Sequence, residues 1–128
     1  MTEPETDLSD LINRVCDPLK QEAAYVYQEA TILEATYDSS TSQEIEALAG
    51  KCDALSQKGY AAAHELLTAG IQDWVYSVKA CNEVGYWAND AAGHARSAAA
   101  SSSPTEIHGM LGSAVHSLGN AQASINGA

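Results

Sequence analysis

Apolar residues recur along this chain every three or four positions, the spacing of one face of an α-helix. No run alternates apolar and polar residues as a half-buried strand does. The pattern predicts four helical stretches, separated by turn-forming residues.

The first stretch is predicted from Asp7 to Tyr37, behind a flexible acidic N-terminus of residues 1–6. Ile12, Leu19, Val26 and Leu33 repeat every seven residues, and Cys16, Ala23, Ala30 and Tyr37 repeat beside them. Pro18 falls inside this stretch, so the helix is expected to kink or break there.

Asp38 to Ser42 reads as a turn and capping segment. The second stretch, Ser42–Ala69, carries Ile45, Leu48, Cys52, Leu55, Gly59, Ala62, Leu66 and Ala69 on one stripe. Gly70 fits the position just past a helix end.

The third stretch is predicted over Ile71–Ala100, with the stripe Ile71, Trp74, Val78, Cys81, Gly85, Ala88, Ala92, Ala95 and Ala99. Its side chains shrink toward the end, so a neighbouring backbone is expected to come close there. The Ser-rich turn ends in Pro104, which suits the first position of a helix. The fourth stretch runs to Asn126 on Ile107, Leu111, Ala114, Leu118, Ala121 and Ile125.

Ser39–Ile45 and Ser101–Ile107 are similar Ser-rich segments at an offset of 62 residues, each leading into a helix. The expected fold is therefore all-α, an antiparallel four-helix bundle in one domain. It consists of two tandem hairpins, 7–69 and 71–126.

Composition alters the functional expectation more than the fold. The net charge is −11, and it is uneven. Residues 1–65 carry 13 acidic and 4 basic side chains, and residues 66–128 carry 4 and 2. Such a chain repels nucleic acid and anionic membranes, so neither is expected as a direct partner. No apolar run approaches the roughly 20 residues needed to span a bilayer. The start of the chain lacks the basic and apolar regions of a signal peptide. A cytoplasmic protein is expected, with any export using a route independent of such a peptide.

The chemistry-bearing residues are scattered. Three cysteines at wide spacing, with no CxxC, argue for reduced, packed thiols. Cys52 and Cys81 lie on core stripes. Cys16 stands at a stripe edge and is the best placed of the three for reactivity, although Asp17 beside it disfavours a thiolate. His64, His94 and His116 face away from the stripes, and His108 lies at a flank. No metal site, cofactor or catalytic activity is expected from this set, and phosphate-binding and dinucleotide motifs are absent. The carboxylates Glu22, Glu29, Glu44 and Glu46 read as solvated faces.

The aromatic set is more specific. Six Tyr, two Trp and no Phe give every ring a polar group. Tyr76 and Trp87, 11 residues apart, share one helical face with Tyr86 beside them. Tyr and Trp favour interface centres, so this face is the candidate site for a protein partner or self-association. Two other functions remain open. One is a small-molecule sensor with a pocket formed by Trp74, Tyr25, Tyr37 and Tyr60. The other is an acidic inhibitor that mimics nucleic acid.

The second hairpin also carries Tyr86-Trp-Ala-Asn-Asp90, then a Ser/Pro turn, then the helix Ile107–Ile125. This arrangement resembles the small helical-hairpin proteins associated with actinobacterial type VII (ESX-like) secretion. Tyr86 and Asp90 match that family's Tyr-x-x-x-Asp signal. The family's Trp-x-Gly turn has no counterpart here, and the similarity covers about a third of the chain. The resemblance implies an export substrate, or a partner of one, that pairs as a helical bundle; without it, the interaction face reads as that of an adaptor.

Overall fold

The computed structural model describes residues 3–37, 42–72 and 75–127, with side chains from Ser9 onward. They form four helices: α1 (Glu3–Ala35), α2 (Ser42–Thr68), α3 (Tyr76–Ala100) and α4 (Pro104–Asn126). The helices make the expected antiparallel bundle. Each packs against the helix that follows it in the chain, and α4 closes the ring onto α1. The diagonal pair α1 and α3 barely meets.

α1 begins four residues before the predicted start, at Glu3. Pro4 fits a first helical turn, where no N–H bond is lost. Pro18 does not break the helix, which continues through it. The cost of the missing hydrogen bond, about 3 kcal/mol, is offset by burial on both sides: Cys16, Leu19, Ala23, Val26 and Ala30 are all in the core.

The start of α3 differs from the prediction. Ile71 does not open this helix but completes α2. Gly70 has φ +99°, a conformation that L side chains rarely adopt. Its N–H donates to the Leu67 carbonyl (3.0 Å), and the Ile71 N–H donates to the Leu66 carbonyl (3.0 Å). This pair of bonds is a Schellman motif. Ile71 and Leu66 are both buried, as that motif favours. α3 then starts at Tyr76.

The other turn follows its sequence signals. Ser103 caps α4, its hydroxyl accepting from the Glu106 N–H (3.4 Å), and Pro104 follows. Ser101 donates from its hydroxyl to the Glu106 carboxylate (2.8 Å). Residues 39–41, part of the first Ser-rich segment, lie outside the described residues.

The closest helix contact is between α2 and α3. A Cβ on Gly59 would lie 2.7 Å from the Gly85 nitrogen and 2.8 Å from the Cys81 carbonyl oxygen. Beside it the buried Ser56 hydroxyl donates to the Gly85 carbonyl at 2.7 Å. Backbones approach this closely because the facing residues are small.

α3 is buried on a wider arc than its predicted stripe. Ser77, Ala80, Val84, Ala91 and Ala98 join the core because α4 covers a second side of the helix. The small residues toward the end of α3 are buried within this chain.

Candidate partner-binding face

The aromatic residues of α3 do not all point the same way. In the middle of the helix Tyr86 points outward, with 58% of its surface exposed. One and two turns away on that face stand Lys79, Asn82, Asn89, Asp90 and Gly93, all exposed. Trp87 is half-buried and packs against the core margin. Its ring meets Tyr86 edge-on, with centroids 5.0 Å apart. The expectation that Trp87 faces away from the core is thus corrected. Trp87 falls between Glu83 and Asp90 on the α4 side of the helix, and α4 was not part of a reading based on one stripe.

Tyr76 is 67% exposed at the first turn of α3. Its hydroxyl approaches the Gly127 end of α4, 3.4 Å from where a Cβ on that glycine would be. A groove of about 260 Å³ runs between these helix ends, lined by Tyr76, Lys79, Ala80, Glu83, Ala123 and Ser124. Tyr76 therefore lies apart from the Tyr86–Trp87 pair, roughly three helical turns away.

Asp90 has a structural partner. Its carboxylate accepts from the Ser117 hydroxyl at 2.7 Å and meets His94 Nε2 at 3.2 Å. Glu83 likewise accepts from Ser124 at 2.7 Å. These two bonds join α3 to α4 along one edge of the face. Tyr86 and Asp90 thus both belong to a folded helix.

The tyrosines of the expected pocket meet three different helix pairs. Tyr25 lies beneath the Lys51 ammonium, 5.3 Å from its ring centroid, between α1 and α2. Tyr37 lies against His108, 4.8 Å between ring centroids, between α1 and α4. Tyr60 reaches from α2 onto Gly85 of α3. Trp74 lies outside the described residues. The structure does not bring these tyrosines together.

Tyr60 belongs instead beside the α3 face. A Cβ on Gly85 would meet its ring at 2.8 Å, so the missing side chain is what lets the ring lie there. Tyr60 thus lies on α3 at Gly85, the residue that precedes Tyr86 and Trp87 in the chain. Gly59 and Gly85 on facing stripes signalled the close approach, but not which ring would fill the space.

The acidic side chains of α1 are less free than their sequence suggested. Glu22 pairs with Lys58, and Glu29 pairs with Lys51 (2.9 Å), both across the α1–α2 boundary. The hydrogen bond from Lys51 holds the Glu29 carboxyl below its ordinary pKa. Asp53 pairs with Arg96 across α2–α3.

Cys16 is corrected as well. It is 2% exposed and faces the interior, because the row Cys16, Ala23 and Ala30 lies on the buried side of α1. Cys52 and Cys81 are fully buried. Among the described residues no three His, Cys, Asp or Glu side chains gather to hold a metal ion. Among them too, no helix is long and apolar enough to cross a membrane.

The fold defines the class: an all-α four-helix bundle, here with an exposed Tyr86 beside Trp87 on α3. Compared with protein-family models, curated proteins and solved structures, the chain matches none.

Proposed function

We propose that this chain is a non-enzymatic helical interaction module that binds a protein partner through the outer face of α3. One observation carries this reading. Tyr86 stands 58% exposed, braced edge-on by Trp87. Its exposed neighbours on α3 are Asn82, Asn89 and Gly93 together with the charged Lys79 and Asp90. A half-supported tyrosine loses little entropy on binding and buries a large area. Isolated exposed tyrosines are ordinary, but an exposed tyrosine packed edge-on against a half-buried tryptophan is the kind of ring pair that interface centres favour.

The Tyr86-x-x-x-Asp90 resemblance supplies a specific form of this reading, a secretion-associated protein whose partner contacts Tyr86. Asp90 is then shared between the partner and Ser117.

The test places a photo-crosslinking residue at position 86 in the native host, with Gln28 on α1 as the exposed control. A defined cross-linked species from position 86 alone is expected. A species of twice the chain's mass identifies the partner as a second copy. Tyr86→Arg, with its helical signal and melting retained, should abolish recovery of the same species. Equal labelling from both positions, or recovery unaffected by Tyr86→Arg, overturns the proposal.

A further inference from the structure

Cys16 of α1 and Cys81 of α3 face each other in the core, Sγ to Sγ at 3.9 Å. They come from the diagonal helix pair, which otherwise barely meets. A disulfide needs sulfurs at roughly 2.05 Å, so a small movement of the two side chains brings them to bonding distance. Cys52, fully buried on α2, has no such partner among the described residues.

We propose that Cys16 and Cys81 are a redox-modification site, oxidised by hydrogen peroxide to a reversible disulfide that staples α1 to α3.

Two features support the chemistry. The first is the division of labour within the pair. A hydrogen bond from the Cys81 thiol favours the Cys16 thiolate, and the Lys20 ammonium one turn away adds to this, against the cost of burial and the adjoining Asp17 carboxylate. The same hydrogen bond and burial push the Cys81 thiol up. Cys16 is thus the attacking sulfur and Cys81 the resolving one, the pairing that redox-sensitive thiols use. Cys52 is pushed up to about 12 by burial and stays a thiol.

The second feature is access. The turn of α1 that carries Cys16 borders a cleft of about 460 Å³ between α1 and α2, lined by Arg14, Val15, Pro18 and Leu19 among others. Pro18 has no N–H to donate to the Arg14 carbonyl, so this turn lacks one helical bond. Local opening of α1 here admits a molecule as small as peroxide.

The steps balance. The Cys16 thiolate attacks one peroxide oxygen. The O–O bond breaks, the departing hydroxide takes up the proton that Cys16 released on forming its thiolate and leaves as water, and Cys16 becomes a sulfenic acid. The Cys81 sulfur then attacks the Cys16 sulfur. The S–O bond breaks, a second water leaves with the Cys81 proton, and the S–S bond forms. Two thiols are oxidised by two electrons, and one peroxide is reduced to two waters. A small-molecule dithiol reverses the bond.

Thiol titration of the unfolded wild-type protein reads the result directly. The count should fall from three thiols to one after peroxide and return after dithiol. Peptide mapping should join the segments holding 16 and 81. The oxidised protein should remain monomeric with respect to disulfides and melt about 10 °C higher, because the bond closes a long loop. In Cys81→Ser, Cys16 should be trapped by a sulfenic-acid reagent. Cys52→Ala should still lose two thiols. An unchanged count of three, a bond involving Cys52, or only intermolecular disulfides overturns the proposal. None of these readouts depends on the α3 face.

Discussion

At the residue scale, glycines divide sharply by what surrounds them. Gly59 is the point where α2 touches the backbone of α3. Gly59→Ala places a methyl group within 2.8 Å of two backbone atoms that cannot step aside. The gain in helix propensity, about 1 kcal/mol, is smaller than the overpacking cost, and a net loss of about 1–3 kcal/mol is expected. Gly93, on the exposed side of α3, has nothing within 4 Å of its Cβ position. Gly93→Ala should therefore stabilise the protein by about 0.5–1 kcal/mol. Urea denaturation of the two variants measures both, and equal shifts of the same sign would contradict the close approach at Gly59. If Gly85 were given a side chain, Tyr60 would have to leave α3.

At the scale of elements, α1 is the distinctive helix. Its boundary with α2 is bridged by Glu22–Lys58 and Glu29–Lys51 and carries the cleft at Pro18. The boundary between α2 and α3 is closed by backbone contact. The Glu29–Lys51 pair makes a pH prediction with a definite sign. The folded-state pKa of Glu29 is depressed, so its contribution is present above the unfolded carboxylate pKa and is lost as pH falls through the folded value. The pKa of Lys51 is raised, chiefly by the Glu29 hydrogen bond. Its contribution is intact at neutral pH and is lost only at strongly alkaline pH. Glu29→Gln should thus cost at most about 1 kcal/mol at neutral pH, since the pair is substantially solvent-exposed. The difference from wild type should begin to shrink below about pH 4 and disappear only as pH falls past the depressed folded value of Glu29. A difference that does not shrink on acidification would assign the effect to packing rather than charge.

At the scale of the whole molecule, charge sets the conditions under which the bundle is stable. Residues 1–65 hold 13 acidic and 4 basic side chains, so the first hairpin repels itself. Screening acts within about 10 Å at 0.1 M salt. Raising salt from about 10 mM to 150 mM should increase the Tm by a few degrees, read by circular dichroism. A fall in Tm would mean that the cross-helix ion pairs outweigh the net repulsion. The same charge directs partner choice: a docking protein with a neutral or basic surface is favoured at the α3 face, and an acidic one is disfavoured.

Much of this architecture follows from sequence alone. Helical periodicity placed Leu48, Leu55, Leu66, Leu111 and Leu118 inside, and Gly70 and Pro104 marked a helix end and a helix start. Those assignments are local, because each rests on the angle of a residue about its own helix axis or on one backbone conformation. Tertiary structure decided the rest. That α4 covers a second side of α3 turned Trp87 partly inward and tied Asp90 to Ser117. That α1 lies diagonal to α3 brought Cys16 to Cys81 across 65 residues. That α2 packs closely on α3 let the Tyr60 ring fill the space left by Gly85. Periodicity within one helix determines which way a side chain points. Only the position of the neighbouring helices, and how far each has slid along the next, determines what it meets.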